Sequence, residues 1–222
     1  MYRAVVFDLD NTLYAERSYR DAAYWSIAVR LGRRFGWRAD KVHKHLLHVV
    51  DSLDEHAAFE RLLQDFGMDD SYVSACIEQV IVPAYTTCVC NLELYDDARS
   101  LLRELTQRNI PIGLVTNGSK QMQWNKIRLL DIQRYFKCII VAGEHFDRDR
   151  WKPHQAPFEM CFTRLGMNPA DCLYVGDSPE LDVPGAASLG AKVLLIRRDA
   201  KSTNASDCIQ LNNLTRVMDW LT

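Results

Sequence analysis

The stretch Val5-Val6-Phe7-Asp8-Leu9-Asp10-Asn11-Thr12-Leu13 decides how the rest of the chain is read. Its apolar opening predicts a short β-strand, and the strand ends in two carboxylates, Asp8 and Asp10, at i, i+2. Alternate residues of an extended chain point the same way, so both acids aim at one place if the strand continues past its end. Open α/β sheets put their chemistry in the crevice beyond the carboxyl ends of the strands. Two acids that close repel unless a cation lies between them or one keeps a proton. The segment therefore reads as a Mg²⁺ site, an acid/base pair, or both. The plain alternative is one Asp capping a turn and another on the surface.

Two textures follow the strand. Residues 17–90 are helical throughout, with apolar residues at i, i+3, i+4 spacing over 19–35, 39–51, 53–66 and 71–85. Gly32, Gly36, Gly67 and Pro83 punctuate them. Residues 95–222 alternate helices and strands: helix 96–108, strand 111–115, a helix capped by Ser119 and running to Leu130, and strand 138–142. An irregular charged stretch leads to Lys152-Pro153, followed by helix 155–165, strand 172–175, helix 179–189 and strand 192–196. A short strand at 208–210 and a helix from Leu214 close the chain. Alternating βα units predict a doubly wound parallel sheet with helices on both faces. The expected division is an α/β core of residues 1–15 and 93–222, with a helical insertion over 16–92.

Bulk properties narrow the function. The chain has 222 residues, 48% of them hydrophobic, and a formal net charge of −2. That balance argues against a nucleic-acid binder, which would be basic. Seven cysteines are scattered without a C-x-x-C pair, and Cys138, Cys161 and Cys172 sit in apolar runs as small hydrophobes. A reducing cytoplasm is expected. The chain opens directly into its first strand, so no leader is expected, and no apolar run is long enough to span a bilayer.

Four features fall at the ends of predicted strands or shortly after them: Asp8-x-Asp10-x-Thr12, Thr116-Asn117-Gly118, Lys152-Pro153 and Gly176-Asp177-x-x-x-x-Asp182. Each has an ordinary structural reading as a turn, a cap or a solvated charge. Together, in this order, they resemble the four motifs of the haloacid dehalogenase superfamily over nearly the whole chain, and the helical insertion resembles the cap domain of the subfamily whose cap follows the first strand. Pro184-Gly185-Ala186-Ala187 and Gly190 also fit the run after the fourth motif.

The resemblance implies a Rossmann-like core and a chemistry. It makes Asp8 the nucleophile that forms an aspartyl-phosphate and Asp10 the general acid and base. Mg²⁺ would be held by Asp8, the backbone carbonyl of Asp10, and Asp177. Asp182 would orient a metal-bound water or Lys152. Thr116, with the amides of Asn117 and Gly118, would hold phosphate oxygens, and Lys152 would neutralise nucleophile and phosphate. Because a halide leaves without a proton, the family's dehalogenases lack the second acid. Its presence here favours a phosphate ester, with the substrate a small phosphorylated metabolite of the sugar phosphate or nucleotide class. The alternatives are a phosphomutase or phosphotransferase, a 2-haloacid dehalogenase, and a non-catalytic relative.

Tyr14, Arg17, Ser18, Tyr19 and Arg20, just after the first motif, are the candidates for substrate contact; hinge and helix start is the other reading of them. His43, His45 and His48 share one predicted helix. Without further ligands in the sequence, a solvated or packing role suits them better than zinc.

Overall fold

The structure, a computed structural model, describes residues 1–198 and 208–221. The chain divides into two compact units, residues 1–16 with 91–222 and residues 17–90. The first holds a six-stranded parallel sheet: β1 (Ala4–Phe7), β2 (Ile112–Ser119), β3 (Cys138–Val141), β4 (Cys172–Gly176), β5 (Lys192–Ile196) and β6 (Ile209–Leu211). The spatial order is β3-β2-β1-β4-β5-β6. All four residues of β1 and all five of β4 are buried, as expected of parallel strands covered on both faces, which read as unbroken apolar runs. From β1 the chain builds outward through β2 and β3, then crosses to β4 on the other side. The crevice at this reversal is where such sheets bind ligands.

The helices, in chain order, are α1 (Glu16–Phe35), α2 (Ala39–Val50), α3 (Glu55–Asp65), α4 (Asp70–Cys76), α5 (Val82–Thr86), α6 (Asp96–Gln107), α7 (Lys120–Leu129), α8 (Ala142–His145), α9 (Ala156–Leu165) and α10 (Pro179–Ser188). In the sheet-bearing unit, Phe158, Cys161, Phe162 and Leu165 of α9 bury against Val6, Val115, Ile140 and Tyr174. Cys138 and Cys172 fill the same cluster as free thiols.

The helical unit has its own core, built from Tyr24, Ile27 and Leu31 of α1, Val42 and Leu46 of α2, Phe59 and Leu62 of α3, and Val73, Ile77 and Ile81 beyond. Pro83 does not end the last helical run as a punctuation mark. A π-helical turn at Ile77–Ile81 precedes it and the helix continues to Thr86. The wider turn suits a proline ring that lacks an N–H and would crowd an ordinary turn.

One strand boundary and one closing helix differ from expectation. β2 runs on to Ser119, so Thr116-Asn117-Gly118 lie within the strand. Ser119 bridges Gly143, where a side chain would sit 2.4 Å from the Gly118 carbonyl oxygen, so glycine permits the extra pairing. Leu214–Trp220 is a 3₁₀ run instead of an α-helix, opened by the Asn213 side chain accepting from the Thr215 amide. Its end is spent on pairing: the Tyr2 amide donates to the Trp220 carbonyl at 3.0 Å, and Leu221 bridges Tyr2.

The loop after β1 is closed by its own chain. Tyr14 pairs with Leu94 as an antiparallel bridge, and the Tyr95 amide donates to the Leu13 carbonyl at 2.9 Å. The Arg198 guanidinium donates to the Thr12 carbonyl (2.9 Å) and to Asp97 (2.7 Å), and lies 3.9 Å over the Tyr95 ring.

Gly113, inside β2, leaves no room for a side chain: a Cβ would lie 2.6 Å from Cys161 Sγ and 3.2 Å from Val6 Cγ2. Overpacking of that kind costs about 2 kcal/mol. Gly113→Ala is expected to lower the Tm by ~6 °C for a chain of this size. An unchanged melting curve would refute the packing of α9 on β2.

Candidate active site

At the carboxyl end of β1 the backbone turns sharply, with Asn11 in the left-handed region at φ 57°. Asparagine tolerates that conformation. Its side-chain oxygen accepts from the Glu16 amide at 3.1 Å, which closes the loop. Thr12, fully buried, donates to Asp8 Oδ2 at 3.3 Å. Asp8 Oδ1 faces the ammonium of Lys152 at 2.5 Å.

Lys152 arrives from the loop before α9 and is 5% exposed. Its backbone is clasped by Asn117: the Lys152 amide donates to Asn117 Oδ1 and the Asn117 amide group donates to the Lys152 carbonyl, both at 2.9 Å. The ammonium also reaches Asp182 Oδ1 at 2.8 Å. Asp182, in the first turn of α10, is fully buried, and its oxygens are taken. Oδ1 accepts from Lys152 and from the Tyr174 hydroxyl (2.9 Å), and Oδ2 accepts from the Ser178 amide (3.0 Å). Gly176 makes this possible, since a Cβ there would fall 2.2 Å from Asp182 Oδ2.

Asp10 is held separately. Oδ1 accepts from the Tyr14 hydroxyl at 2.5 Å and from Lys126 at 2.8 Å, and Oδ2 accepts from Lys126 at 3.0 Å and from Gln123 at 2.9 Å. Gln123 also donates to Thr116 Oγ1 and to the Asn117 carbonyl. Asp8, Asp10, Thr116, Asn117, Lys152, Asp177 and Asp182 line one cleft of about 250 Å³. A larger hollow of about 420 Å³ lies within the helical unit, among Phe35, Trp37, Phe66 and Met68. Among the described residues its lining carries no acid, whereas the smaller cleft gathers Asp8, Asp10, Asp177 and Asp182.

Charge in the cleft is unbalanced. Among the described residues, two ammonium groups, those of Lys152 and Lys126, contact the cluster of Asp8, Asp10, Asp177 and Asp182. Burial, the largest cause, pushes the Asp8 carboxyl well above the ordinary range, against the pull of Lys152, and the Asp182, Asp177 and Asp10 carboxylates add to the rise. Asp177 is pushed up to about 6, by burial first and by Asp182 second. Burial opposes the charge on Lys152, but Asp182 and Asp8 together hold its ammonium above its usual range. Asp8, Asp177 and Asp182 each present a carboxylate oxygen, all within 4.8 Å of one another. Hard oxygen donors around a surplus of negative charge suit a hard divalent cation. Asp182 is fully buried and its two oxygens already accept from three donors, so Asp8 and Asp177 are the better ligands.

The sequence reading missed Gln123, Lys126 and Tyr174. The first two occupy positions of the stripe Gln123-Lys126-Ile127-Leu130, at i, i+3, i+4, i+7, where a core-facing helix carries apolar residues. Polar residues on an apolar stripe were the available signal. Tyr174 offered a similar one, as a phenol inside the buried strand Cys172–Gly176.

The candidates for substrate contact separate by environment. Tyr14 is buried with its hydroxyl on Asp10. Within the helical unit, Tyr19 is buried and donates to the Tyr85 carbonyl at 2.7 Å. Arg17, Ser18 and Arg20 are exposed, Arg17 beside Asp21. His45 faces Asp65 at 2.7 Å, and His43 packs edge-on to Trp25.

A family model described as haloacid dehalogenase-like hydrolase matches residues 2–190. The glyceraldehyde 3-phosphate phosphatase of Methanopyrus kandleri is 28% identical, over 89% of this chain and 85% of that one. The N-acylneuraminate-9-phosphatase of Mus musculus is also 28% identical, over 86% of this chain and 80% of its own length. Among solved structures, the HAD phosphatase of Thermococcus onnurineus superposes with a TM-score of 0.66 at 24% identity, covering 98% of this chain and 97% of the other. At that identity the superposition speaks for the fold.

A carboxyl raised by folding binds protons more tightly in the folded state, so its contribution to stability falls as pH rises from about 4 through about 6. In chelator, Asp177→Asn should therefore melt close to the parent protein near pH 4 and above it at pH 7.5, by ~6 °C. A divalent cation should stabilise the parent more than the variant. A difference independent of pH would remove Asp177 from the strained cluster.

Proposed function

The chain belongs to the haloacid dehalogenase-like hydrolases, and from that premise we propose that it is a Mg²⁺-dependent phosphomonoesterase acting on a small phosphorylated metabolite of the sugar phosphate or nucleotide class. The observation that carries the reading is Asp10, a second carboxylate beside Asp8 that is held by three donors and faces the same cleft. An acid there serves a leaving oxygen that needs a proton; a departing halide has no use for one. The relatives named as phosphatases of glyceraldehyde 3-phosphate and of N-acylneuraminate 9-phosphate support the substrate class.

Asp8 attacks phosphorus through a carboxylate oxygen, so its O–P bond forms as the bond to the leaving oxygen breaks. Asp10 gives its proton to that oxygen, then takes one from the water that hydrolyses the acyl phosphate. Lys152 stabilises charge on nucleophile and phosphoryl group from one side. Thr116, with Asn117 and Gly118, holds phosphoryl oxygens from the other. Asp8, the Asp10 backbone carbonyl and Asp177 would hold Mg²⁺, which would supply the neutralisation that Lys152 and Lys126 leave incomplete. Asp182 and Tyr174 keep the Lys152 ammonium in place.

The helical unit acts as a cap, and discrimination among substrates falls to Arg17, Ser18 and Arg20. Tyr14 serves Asp10, and Tyr19 serves the packing of the cap.

Phosphate release from 4-nitrophenyl phosphate is expected with Mg²⁺ and not in chelator. Asp8→Asn should lower kcat by at least ~10⁴-fold and abolish any acid-stable phosphoenzyme. Equal rates with and without chelator would refute the metal; substantial turnover by Asp8→Asn would refute the covalent route. Recovery of the phosphoryl group on a second organic molecule, in place of free phosphate, would make the enzyme a transferase.

A further inference from the structure

In the cleft, α7 does more than follow the phosphate-binding strand. Gln123 and Lys126, at i, i+3, point one face of the helix at Asp10, with relative exposures of 0% and 2%. Burying an ammonium costs several kcal/mol unless it is paired and hydrogen-bonded. Lys126 meets that requirement on Asp10, touching both carboxylate oxygens at 2.8 and 3.0 Å. Gln123 fixes the second oxygen at 2.9 Å and, through the same amide nitrogen, Thr116 Oγ1 and the Asn117 carbonyl. The amide orientation is settled by these partners, since a carbonyl in that place would face the Asp10 carboxylate and the Asn117 carbonyl. Asp10 is thereby tied to the strand that holds the phosphoryl group.

We propose that Lys126, assisted by Gln123, is a positioning residue for acid–base catalysis, holding the Asp10 carboxyl in the one orientation from which it serves the leaving oxygen. The inference rests on the phosphomonoesterase reading. In the step concerned, the Asp10 O–H bond breaks and its proton passes to the leaving oxygen, while the bond from phosphorus to that oxygen breaks and the Asp8 O–P bond forms. Lys126 exchanges nothing; it fixes where the proton is delivered. Lys152 has a different task, on Asp8 and Asp182. The two buried lysines therefore divide the site, one serving the nucleophile and the other the acid.

The test uses the full chain with Mg²⁺ and a series of aryl phosphates from 2,4-dinitrophenyl phosphate, whose phenolate leaves unaided, to phenyl phosphate, whose oxygen needs a proton. Lys126→Met should lower kcat on phenyl phosphate about 30-fold, less than the ~10²–10⁴-fold of a general acid because Asp10 itself remains. On the dinitrophenyl ester the loss should be below about 3-fold, and KM should stay within about 3-fold throughout. Lys126→Arg should restore most of the lost rate on phenyl phosphate. Placed on Asp10→Asn, Lys126→Met should cost little more, because a residue acting through Asp10 has nothing left to position. If Lys126→Met fails to fold, Lys126→Gln reads the same slope.

A loss equal across all leaving groups, or one that adds in full to that of Asp10→Asn, would make Lys126 structural and overturn the inference while leaving the phosphatase intact. A wild-type enzyme inactive on the whole series with Mg²⁺ would overturn the underlying reading, and this inference with it.

Discussion

One ammonium group organises the cleft. Lys152 lies buried between Asp8, at the end of β1, and Asp182, in the first turn of α10. An unpaired charge is costly at that depth, and the lysine is paired with a carboxylate on either side. The surrounding architecture serves this placement. Asn117 clasps the lysine backbone, Tyr174 donates to the same Asp182 oxygen that the lysine meets, and Gly176 clears the space in which Asp182 lies. Groups far apart in sequence are brought together because β2, β1 and β4 are adjacent in a parallel sheet and all release their chemistry at one edge.

What Lys152 leaves undone is equally informative. A core chosen for stability alone would not gather four carboxylates around two lysines. Burial first, and the neighbouring carboxylates after it, raise Asp8 and Asp177, so the folded chain stores electrostatic strain in this cleft. Strain of this kind persists at functional sites because the rest of the structure over-determines it. Here the over-determination is visible in the apolar strands: β1 and β4 are buried along their whole length.

That division explains what could be read from residues alone. Buried parallel strands announce themselves as apolar runs, and the acids, threonine and lysine beside their ends stand out against that background. Asp8, Asp10, Thr116, Lys152, Asp177 and Asp182 were therefore legible. Gln123 and Lys126 stood out less, because a polar residue on a helix is ordinarily solvated and only their stripe with Ile127 and Leu130 marks them as facing inward. Tyr174 was hidden in the opposite way, counted with its apolar neighbours although its hydroxyl faces Lys152 and Asp182. The closing segment at Leu214–Trp220 and the π turn before Pro83 depend on pairings and crowding that local sequence pattern does not encode.

The stitch between Leu13–Tyr14 and Leu94–Tyr95 carries a consequence for how such a protein can diversify. Where the chain departs from the sheet-bearing unit and where it returns are already hydrogen-bonded to each other. Closing a loop across two points fixed in contact depends only weakly on its length, about 0.6 kcal/mol for each doubling. The sheet is thus nearly indifferent to what is threaded through that gate. A lineage could lengthen, shorten or replace the intervening helices and keep these contacts, since Thr12, Tyr14, Gln123, Lys126 and Lys152, which hydrogen-bond to Asp8 or Asp10, all lie outside the intervening residues.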